Sequence, residues 1–511
     1  MKKIIEEYKR EIKDLVTNPK YIAPIIFVAI LSYGFAVTHY SIGIDDLCFD
    51  RYISGTYILS AKRWGTWLLY NVLNIKEFTP FWMDFVVSVF MVIIAIVLSA
   101  FLKKQLKDKI NVWECVIFSS IFISNPIIGH FFIYQTTNLA VAICNLLMII
   151  SAIIIIENYF ENKKINIYMI SIFLIIIALS MYESCAQTYL VLIFIYIFIK
   201  LVNKDEKNIF KFFCVSIGCL IIGILGYFLI GKIIILILTK LNIKKPNLAS
   251  GKFVILNKQF RILPLENKKR LWEYYWFDFT NTIIYDMKNY YPFQIFVILS
   301  IIAVIMEIVK SYKTNKDNRL ITVILMILSN IFLMIGQIKI LYRIQFSWIL
   351  TISFLILYIY KTFEDKKKLK IIMNFVILLL IIFQTKNLNQ YFYKEYKRYE
   401  REKIAANNIA MDIIKETDYE SKPIVYVNTL KNVDLTDDED IKSAINWGIL
   451  AFYDSCVETT KFINNFGYSF LSISIEDYKE SNKQYEILDE ETKNKNIIEL
   501  SNCIIVNLDK Y

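Results

Sequence analysis

Two adjacent carboxylates, Asp45 and Asp46, follow the first long apolar segment of the chain in "YSIGIDDLCFDRYISGTY", residues 40–57. At a membrane surface one acid could deprotonate an acceptor hydroxyl while the other holds that hydroxyl or raises the pKa of its neighbour. The same pair also suits the N-cap and first turn of an interfacial helix, where acids are stabilising on ordinary grounds. The residues alone leave both interpretations open.

The stretch behind the aspartates predicts an amphipathic helix. Apolar and aromatic residues recur at near-helical spacing from Phe49 to Leu68, with Arg51, Lys62 and Arg63 on other faces. A helix of this kind lies in the interface plane of a membrane. There Arg63 would neutralise a phosphate leaving group, or it would anchor the helix as an interfacial cation.

Three further connectors carry polar or charged groups that are predicted to reach the same membrane face. They are Tyr182 and Glu183 in "SMYESCAQTYL" 180–190, His130 and Gln135 in "NPIIGHFFIYQTTN" 125–138, and Lys339 and Arg343 in "QIKILYRIQ" 337–345. In a helix the last two cations share one face, and an Arg fork suits a lipid-borne phosphate. The alternatives are a capping acid, a packed histidine and interfacial anchors.

Repeated apolar runs must position these residues. The chain is 56% hydrophobic and only 21% charged, and a helix needs about 20 apolar residues to cross a bilayer. The fold class is therefore a polytopic α-helical membrane protein with about eleven transmembrane helices. The predicted spans are 22–38, 78–102, 112–129, 137–156, 165–181, 185–202, 210–238, 291–310, 319–338, 344–362 and 369–386.

Basic connectors predict the orientation. The N-terminus and five further basic connectors fall on one side, which the positive-inside rule makes cytoplasmic, although the long loop 239–290 is also basic and is assigned outside. We expect a cell (inner) membrane protein with the N-terminus inside and the C-terminus outside. The net charge of +11 reflects these loops and does not indicate nucleic-acid binding. The predicted regions are a cytoplasmic 1–21, a membrane domain 22–386 with outer loops 39–77 and 239–290, and an outer domain 387–511.

The tail changes character and predicts a small extracytoplasmic α/β domain. Short apolar runs at 423–430 and 503–508 flank a helical stretch at 445–456. Cys456 and Cys503 could form a disulfide there if they lie close together. The eight cysteines show no CxxC spacing, and with two histidines in the chain a His-rich metal site is excluded.

Three motifs give the chain a resemblance to a known family. They are "IDDLCFDRYISGTY…KRWGTWLL" after the first span, "LSMYESCAQTYL" at the start of a later span, and the closing apolar strand in "CIIVNLDKY". The layout resembles the bacterial type II O-antigen glucosyltransferases, polytopic enzymes of the GT-C class. The resemblance covers most of the chain but rests on short motifs, of which the Asp pair with "RWG" is the most specific.

The resemblance implies a hexosyltransferase acting at the outer membrane face. Its donor would be a polyprenyl-phosphate-linked glucose or related hexose, and its acceptor a cell-surface polysaccharide. Asp45 and Asp46 would be the catalytic acids, and Arg63 stands where the family has an Arg. Lys62 replaces the Gly expected before Arg63, and Glu183 replaces an expected Gln, which adds a charge near the site.

Two other classes compete with this interpretation. A lipid-linked oligosaccharide flippase would place ionisable groups in mid-span and often shows paired halves, whereas these acids cluster at one face without a repeat. A polysaccharide polymerase shares the glycan chemistry but does not need an early Asp pair. The sequence indicates no cofactor and no nucleotide-binding motif. A divalent metal held by Asp45, Asp46 and Glu183 is conceivable, but carboxylate spacing alone does not indicate one.

Overall fold

The computed structural model describes residues 2–47, 58–59, 61–75, 79–162, 164–204, 208–240, 291–314, 318–331, 345–428, 450, 456–473 and 475–511. The chain divides into two compact units. The first comprises Met1–Val37 and Arg51–Asn389, and the second comprises Thr38–Asp50 and Gln390–Tyr511. This division differs from the prediction that assigned all of loop 39–77 to the membrane domain.

Helices form nearly all of the described chain up to residue 416. They are α1 (Lys2–Val16), α2 (Pro19–Thr38), α3 (Ile44–Leu47), α4 (Trp64–Val72), α5 (Trp82–Leu106), α6 (Val112–Ile123), α7 (Gly129–Phe132), α8 (Gln135–Glu157), α9 (Ile165–Met181), α10 (Ala186–Val202), α11 (Ile209–Lys240), α12 (Tyr291–Thr314), α13 (Asn318–Ile331), α14 (Phe346–Thr362) and α15 (Lys367–Glu416). Short 3-10 turns occupy Lys107–Lys109, Pro126–Ile128 and Glu183–Cys185, and a π-turn occupies Asn158–Asn162.

The predicted spans coincide with helices. Within the described ranges, eight helical segments are long and apolar enough to cross a membrane. Three shorter apolar helices, Ile165–Met181, Asn318–Asn330 and Phe346–Thr362, fall on three other predicted spans. The class of helical membrane protein is confirmed, while the number eleven and the orientation stay predictions. The end of the predicted span 319–338 lies outside the described residues.

One helix forms the centre of the first unit. Nearly every side chain of α6 is buried, as expected for a helix that is apolar on all sides and surrounded by other helices. By contrast, α2, α11, α12 and α15 expose rows of large apolar residues, such as Phe27, Leu225 and Ile371. A soluble protein seldom exposes so much contiguous apolar surface, so these faces suit lipid.

Hydroxyl groups link the inner helices where apolar packing alone would not fix their register. Tyr21 Oη lies 2.8 Å from Ser119 Oγ, and Ser99 Oγ lies 2.7 Å from the same Ser119 oxygen. Ser151 and Ser171 join α8 to α9 at 2.6 Å between their hydroxyl oxygens. Such interhelical hydrogen bonds are typical of membrane bundles.

The N-terminal helix is attached to the bundle by charged residues. Lys104 at the end of α5 lies 2.8 Å from both Glu7 and Glu157, and Tyr8 donates a hydrogen bond to Glu157. Lys103 pairs with Glu11 at 2.8 Å. These ion pairs and the packing of α1 on α5 hold the amphipathic helix in place.

The prediction of one continuous amphipathic helix from Phe49 to Leu68 is wrong. Residues 48–57 and 60 lie outside the described ranges, but Ala61 and Lys62 form a turn and α4 begins only at Trp64. Lys62 has φ 62°, in the left-handed region where a right-handed helix cannot continue. Helical spacing therefore does not relate Arg63 to the aspartates.

A three-stranded sheet forms part of the second unit, in the order β1 (Ile424–Val427), β3 (Ile504–Asn507), β2 (Ile497–Glu499). β1 pairs parallel with β3 and β2 pairs antiparallel with it. The helices α16 (Cys456–Asn464), α17 (Ile475–Ile487) and α18 (Glu490–Lys493) accompany the sheet. β1 and β3 lie within the predicted runs 423–430 and 503–508, whereas the helix expected over 445–456 falls almost wholly outside the described residues. The extracytoplasmic location stays a prediction.

The core of the second unit includes residues from both of its chain segments. Leu47 of α3 joins a buried cluster with Tyr399 and Ile409 of α15, Val425 of β1 and Phe462 of α16. The short segment after α2 is therefore an integral part of this unit. The Cys503 thiol is free and buried, whereas the side chain of Cys456, its predicted disulfide partner, lies outside what the structure describes.

Candidate functional site

Arg63 lies at the start of α4 with its guanidinium between two partners. Its Cζ is 4.3 Å from the centre of the Tyr182 ring, and its Nε is 3.5 Å from Glu183 Oε2. The Arg63 side chain is 19% exposed and that of Glu183 is 34% exposed. Stacking on an aromatic ring fixes the plane of a guanidinium and leaves its edge to bind anions. The structure thus brings Arg63 together with Tyr182 and Glu183, which the sequence analysis placed in a different connector.

Glu183 is oriented from its other side by α11. Tyr227 donates a hydrogen bond to Glu183 Oε1 at 3.0 Å, and the same hydroxyl lies 3.3 Å from the carbonyl oxygen of Lys62. Each oxygen of the carboxylate therefore has its own partner. We call Lys62, Arg63, Tyr182, Glu183 and Tyr227 the Arg63 cluster.

Close packing of α4 on α9 sets the position of Arg63. A Cβ on Gly65 would lie 2.0 Å from Ser180 Oγ, so only glycine lets the two backbones approach this closely. One residue further on, Thr66 Oγ1 donates to the carbonyl of Met181 at 2.9 Å. Since Met181 directly precedes Tyr182, these contacts hold Arg63 against the Tyr182 ring.

Lys62 adds a second cation to the cluster. Its ammonium lies 5.2 Å from the centre of the Phe228 ring. Burial lowers the pKa of Lys62, the charge of Glu183 opposes this, and that of Lys232 adds to it. Its φ of 62° lies in the left-handed region of the backbone, which is easiest for glycine.

The aspartate pair lies on the short helix α3 in the second unit. Asp46 Oδ2 accepts a hydrogen bond from the backbone N–H of Gly43 at 3.0 Å, and the residue is 4% exposed. This is the reach of an acid in the first helical turn back to the N-cap. The capping interpretation therefore describes Asp46, although the residue is buried and not solvated. The Asp45 side chain lies outside what the structure describes.

A buried arginine joins Asp46 to α15. Arg398 donates to the carbonyl of Ile42 at 2.9 Å and pairs with Glu395 and Glu402. The Arg398 charge also interacts with the Asp46 carboxylate. Asp46 is thus part of a network that fixes the segment after α2 on the second unit.

His130 and Gln135 lie on the successive helices α7 and α8. His130 is a buried residue of α7. Gln135 at the start of α8 donates to Asp84 Oδ2 at 2.9 Å, and Asn138 donates to Asp84 Oδ1 at 3.2 Å. This buried carboxylate is absent from the sequence-based candidates. An acid in the first turn of an apolar span is a functional signal in a membrane protein, and "FWMDFVV" 81–87 carries that signal.

Lys339 and Arg343 lie outside the described ranges. Among the residues that are described, no three His, Cys, Asp or Glu side chains are grouped to hold a metal ion.

A comparison with known protein families shows to which family the chain belongs. The family described as glucosyl transferase GtrII matches residues 34–360. The chain belongs to this family. No curated protein and no solved structure matches it. The predicted membership of the Gtr glucosyltransferase family is confirmed, and the apolar helices agree with a glycosyltransferase embedded in a membrane.

The matched range includes the Arg63 cluster and the aspartate pair. Within this range the Glu183 carboxylate contacts both Arg63 and Tyr227. Its charge is compensated within the first unit by Arg63.

Proposed function

We propose that the chain transfers glucose, or a related hexose, from a polyprenyl-phosphate-linked donor to a cell-surface polysaccharide at the outer face of the membrane. One observation carries this proposal. Among the described residues, Arg63 pairs with Glu183, and the charge of Lys62 interacts with those of Glu183 and Lys232. An excess of positive charge around a partly exposed Arg suits a phosphate ester.

In this proposal Arg63 binds the donor phosphate. As the bond between the sugar anomeric carbon and the phosphate oxygen breaks, the leaving polyprenyl phosphate takes the electron pair and a second negative charge. A fixed guanidinium stabilises that charge as it develops. Tyr182 and Glu183 orient Arg63, and a lipid-borne donor reaches this level without a nucleotide-binding domain. His130 and Gln135 remain candidates for sugar contacts.

The aspartates receive different roles. The acceptor hydroxyl must lose its proton as it bonds to the anomeric carbon, and a carboxylate can take that proton. Because Asp46 is buried and already accepts the Gly43 N–H, we assign the base to Asp45 and a positioning role to Asp46. The proposed setting is a bacterial inner membrane, with the N-terminus cytoplasmic and the C-terminal unit outside.

The test is glucose transfer from synthetic polyprenyl-phosphate-glucose to surface polysaccharide by the full chain in detergent. We expect Arg63→Gln and Asp45→Asn each to lower the rate by about 10²–10³, as for loss of one charge-stabilising group. Arg10→Gln is the matched control, because the Arg10 side chain is 71% exposed and lies outside the cluster. The folded state of each variant is checked by its thermal unfolding.

Several outcomes would reject the proposal. Transfer unaffected by both substitutions would remove Arg63 and Asp45 from the chemistry. Transfer from a nucleotide-linked glucose alone would reject the lipid donor. Movement of the intact glycolipid across a vesicle membrane without sugar transfer would favour the flippase alternative.

A further inference from the structure

A basic cavity lies at the end of α10 that is farther from Glu183. Its volume is about 240 Å³, and it is formed where α5, α10 and α14 end and α13 begins. α10 has 17 residues, so its two ends are about 25 Å apart at 1.5 Å per residue. The cavity is therefore separate from the Arg63 cluster and lies at the predicted cytoplasmic side.

The walls of the basic cavity are apolar. Phe198, Phe354, Leu357 and Tyr358 line it. The ring of Phe198 packs edge-on against Phe354 at 5.9 Å and against Tyr358 at 5.0 Å between ring centres. An apolar slot between membrane helices is suited to a hydrocarbon chain.

Two cations of the cavity converge on the last turn of α10. Arg319 Nη2 donates to the carbonyl of Leu201 at 2.9 Å, and Lys109 donates to Asn203 Oδ1 at 2.6 Å. Within the described ranges the partners of Lys109 and Arg319 are these neutral oxygens and the carbonyl of Val202. Neither cation is neutralised there by a carboxylate.

The other two cations of the basic cavity are already paired. Lys310 lies 3.5 Å from Glu307, and Lys361 lies 3.0 Å from Glu114. The uncompensated charge is therefore concentrated at Lys109 and Arg319. A single phosphate diester would neutralise one of the two charges while accepting hydrogen bonds from both side chains.

A second, polar cavity adjoins the first. It has a volume of about 440 Å³, shares Lys109, Leu106 and Ile199 with the basic cavity, and adds Lys107 and Lys200. The apolar slot and the polar chamber thus meet at Lys109. In a phospholipid the phosphate likewise stands between the acyl chains and the headgroup.

We propose that this place binds an anionic phospholipid. The phosphate lies between Lys109 and Arg319, one acyl chain follows Phe198 and Phe354, and the headgroup enters the polar cavity. Basic pockets between membrane helices on the cytoplasmic side are suited to anionic lipid headgroups. A zwitterionic lipid would add a positive headgroup beside Lys107 and Lys200, and a free anion would leave the apolar slot unused. The site is independent of the proposed transfer reaction.

The experiment is native mass spectrometry of the full chain in detergent, titrated with phosphatidylglycerol, phosphatidylcholine or glycerol 1-phosphate. We expect phosphatidylglycerol to bind, and Lys109→Gln and Arg319→Gln each to weaken binding about tenfold, the effect of losing one charged hydrogen bond. Lys368→Gln is the matched control, since Lys368 is an exposed lysine on the same predicted side that does not line the cavity. It should change affinity less than about twofold, as expected for an exposed charge away from the site.

Arg319 also caps α10, so Arg319→Gln could lower stability, and Lys109→Gln then carries the test. Equal binding of phosphatidylcholine would overturn the proposal, because charge would not be recognised. Competition by glycerol 1-phosphate at the same concentration as the lipid would replace the lipid site with a phosphate site. The proposal would also be overturned if Lys368→Gln weakened phosphatidylglycerol binding as much as Lys109→Gln, or if Lys109→Gln did not weaken it.

Discussion

Two arginines of this protein are bound in contrasting ways. Arg398 in the second unit has a fully buried side chain between Glu395 and Glu402. Arg63 in the first unit is 19% exposed and pairs with Glu183, whose side chain is 34% exposed. Both arginines thus pair with glutamate carboxylates, but the Arg398 network is buried and the Arg63 pair is partly exposed to solvent.

The difference in burial decides what each arginine can do. A buried ion network is stable only while all of its members are present, because removing one leaves an uncompensated charge. A partly exposed pair contributes little to stability, and water or a ligand can replace one partner. Arg398 therefore fixes structure, whereas the exposure of Arg63 suits it to contact an anionic substrate.

Glu402→Gln should give the largest effect. It leaves Arg398 short of one charge, and the free energy of unfolding should fall by about 3–5 kcal/mol. Thermal unfolding of the full chain measures this loss. Glu400→Gln is the control, because Glu400 pairs with Lys403 on the same helix but is 36% exposed. Equal shifts in the two variants would show that the burial of the network is unimportant.

Gly65→Ala should have the next largest effect. Its Cβ would meet Ser180 Oγ at 2.0 Å, and overpacking of this kind costs about 1–3 kcal/mol. α4 would move away from α9, and sugar transfer should fall because Arg63 leaves the Tyr182 ring. Gly218→Ala is the control, since nothing lies within 4 Å of its Cβ. A Gly65→Ala variant as stable and active as Gly218→Ala would reject this account.

Lys62→Gly should stabilise the protein by about 1 kcal/mol, because left-handed backbone is costly for residues with a Cβ. Removing a cation whose pKa is lowered by burial acts in the same direction, and the loss of the contact with Phe228 opposes it. Lys62→Ala keeps the Cβ while losing the charge. If Lys62→Ala raised the unfolding temperature as much as Lys62→Gly, backbone strain would not be the cause.

Glu183→Gln should have the smallest effect on stability, less than about 1 kcal/mol, as for other exposed pairs. The amide oxygen can still accept the Tyr227 hydroxyl. Thermal unfolding measures both Glu183→Gln and Glu402→Gln. The two variants compare the removal of one carboxylate charge from a partly exposed pair and from a buried network. A loss as large as that of Glu402→Gln would make the Arg63 cluster a structural network.

The sequence was sufficient for the helices but not for their partners. Long apolar runs predict membrane spans such as α5 and α8, because a helix that crosses a bilayer requires that length and composition. The pairing of Arg63 with Glu183 joins residues 120 positions apart through the packing of α4 on α9, which no local pattern encodes. The left-handed backbone at Lys62 could not be predicted either, because such a conformation is usually recognised from a glycine and this position has a lysine.

Local chemistry was partly predictable within the candidate site. The capping role of Asp46 follows from an acid in a first helical turn, and the sequence offered it as one of two interpretations. Its interaction with the Arg398 charge, by contrast, joins residues 352 positions apart along the chain. Asp84 could have been found from its place in an apolar span, whereas its partners Gln135 and Asn138 are set by the approach of α8 to α5.

The composition of the second unit has a consequence for how the protein is made. Thr38–Asp50 leaves the ribosome early, but Gln390–Tyr511 follows only after roughly 340 further residues, about 17–70 s at 5–20 residues per second. During that interval Asp46 and Leu47 have been synthesised, but the part of α15 that packs against them has not. A nascent chain that stops before β3 cannot complete this unit, so the unit folds only after both of its chain segments have been made.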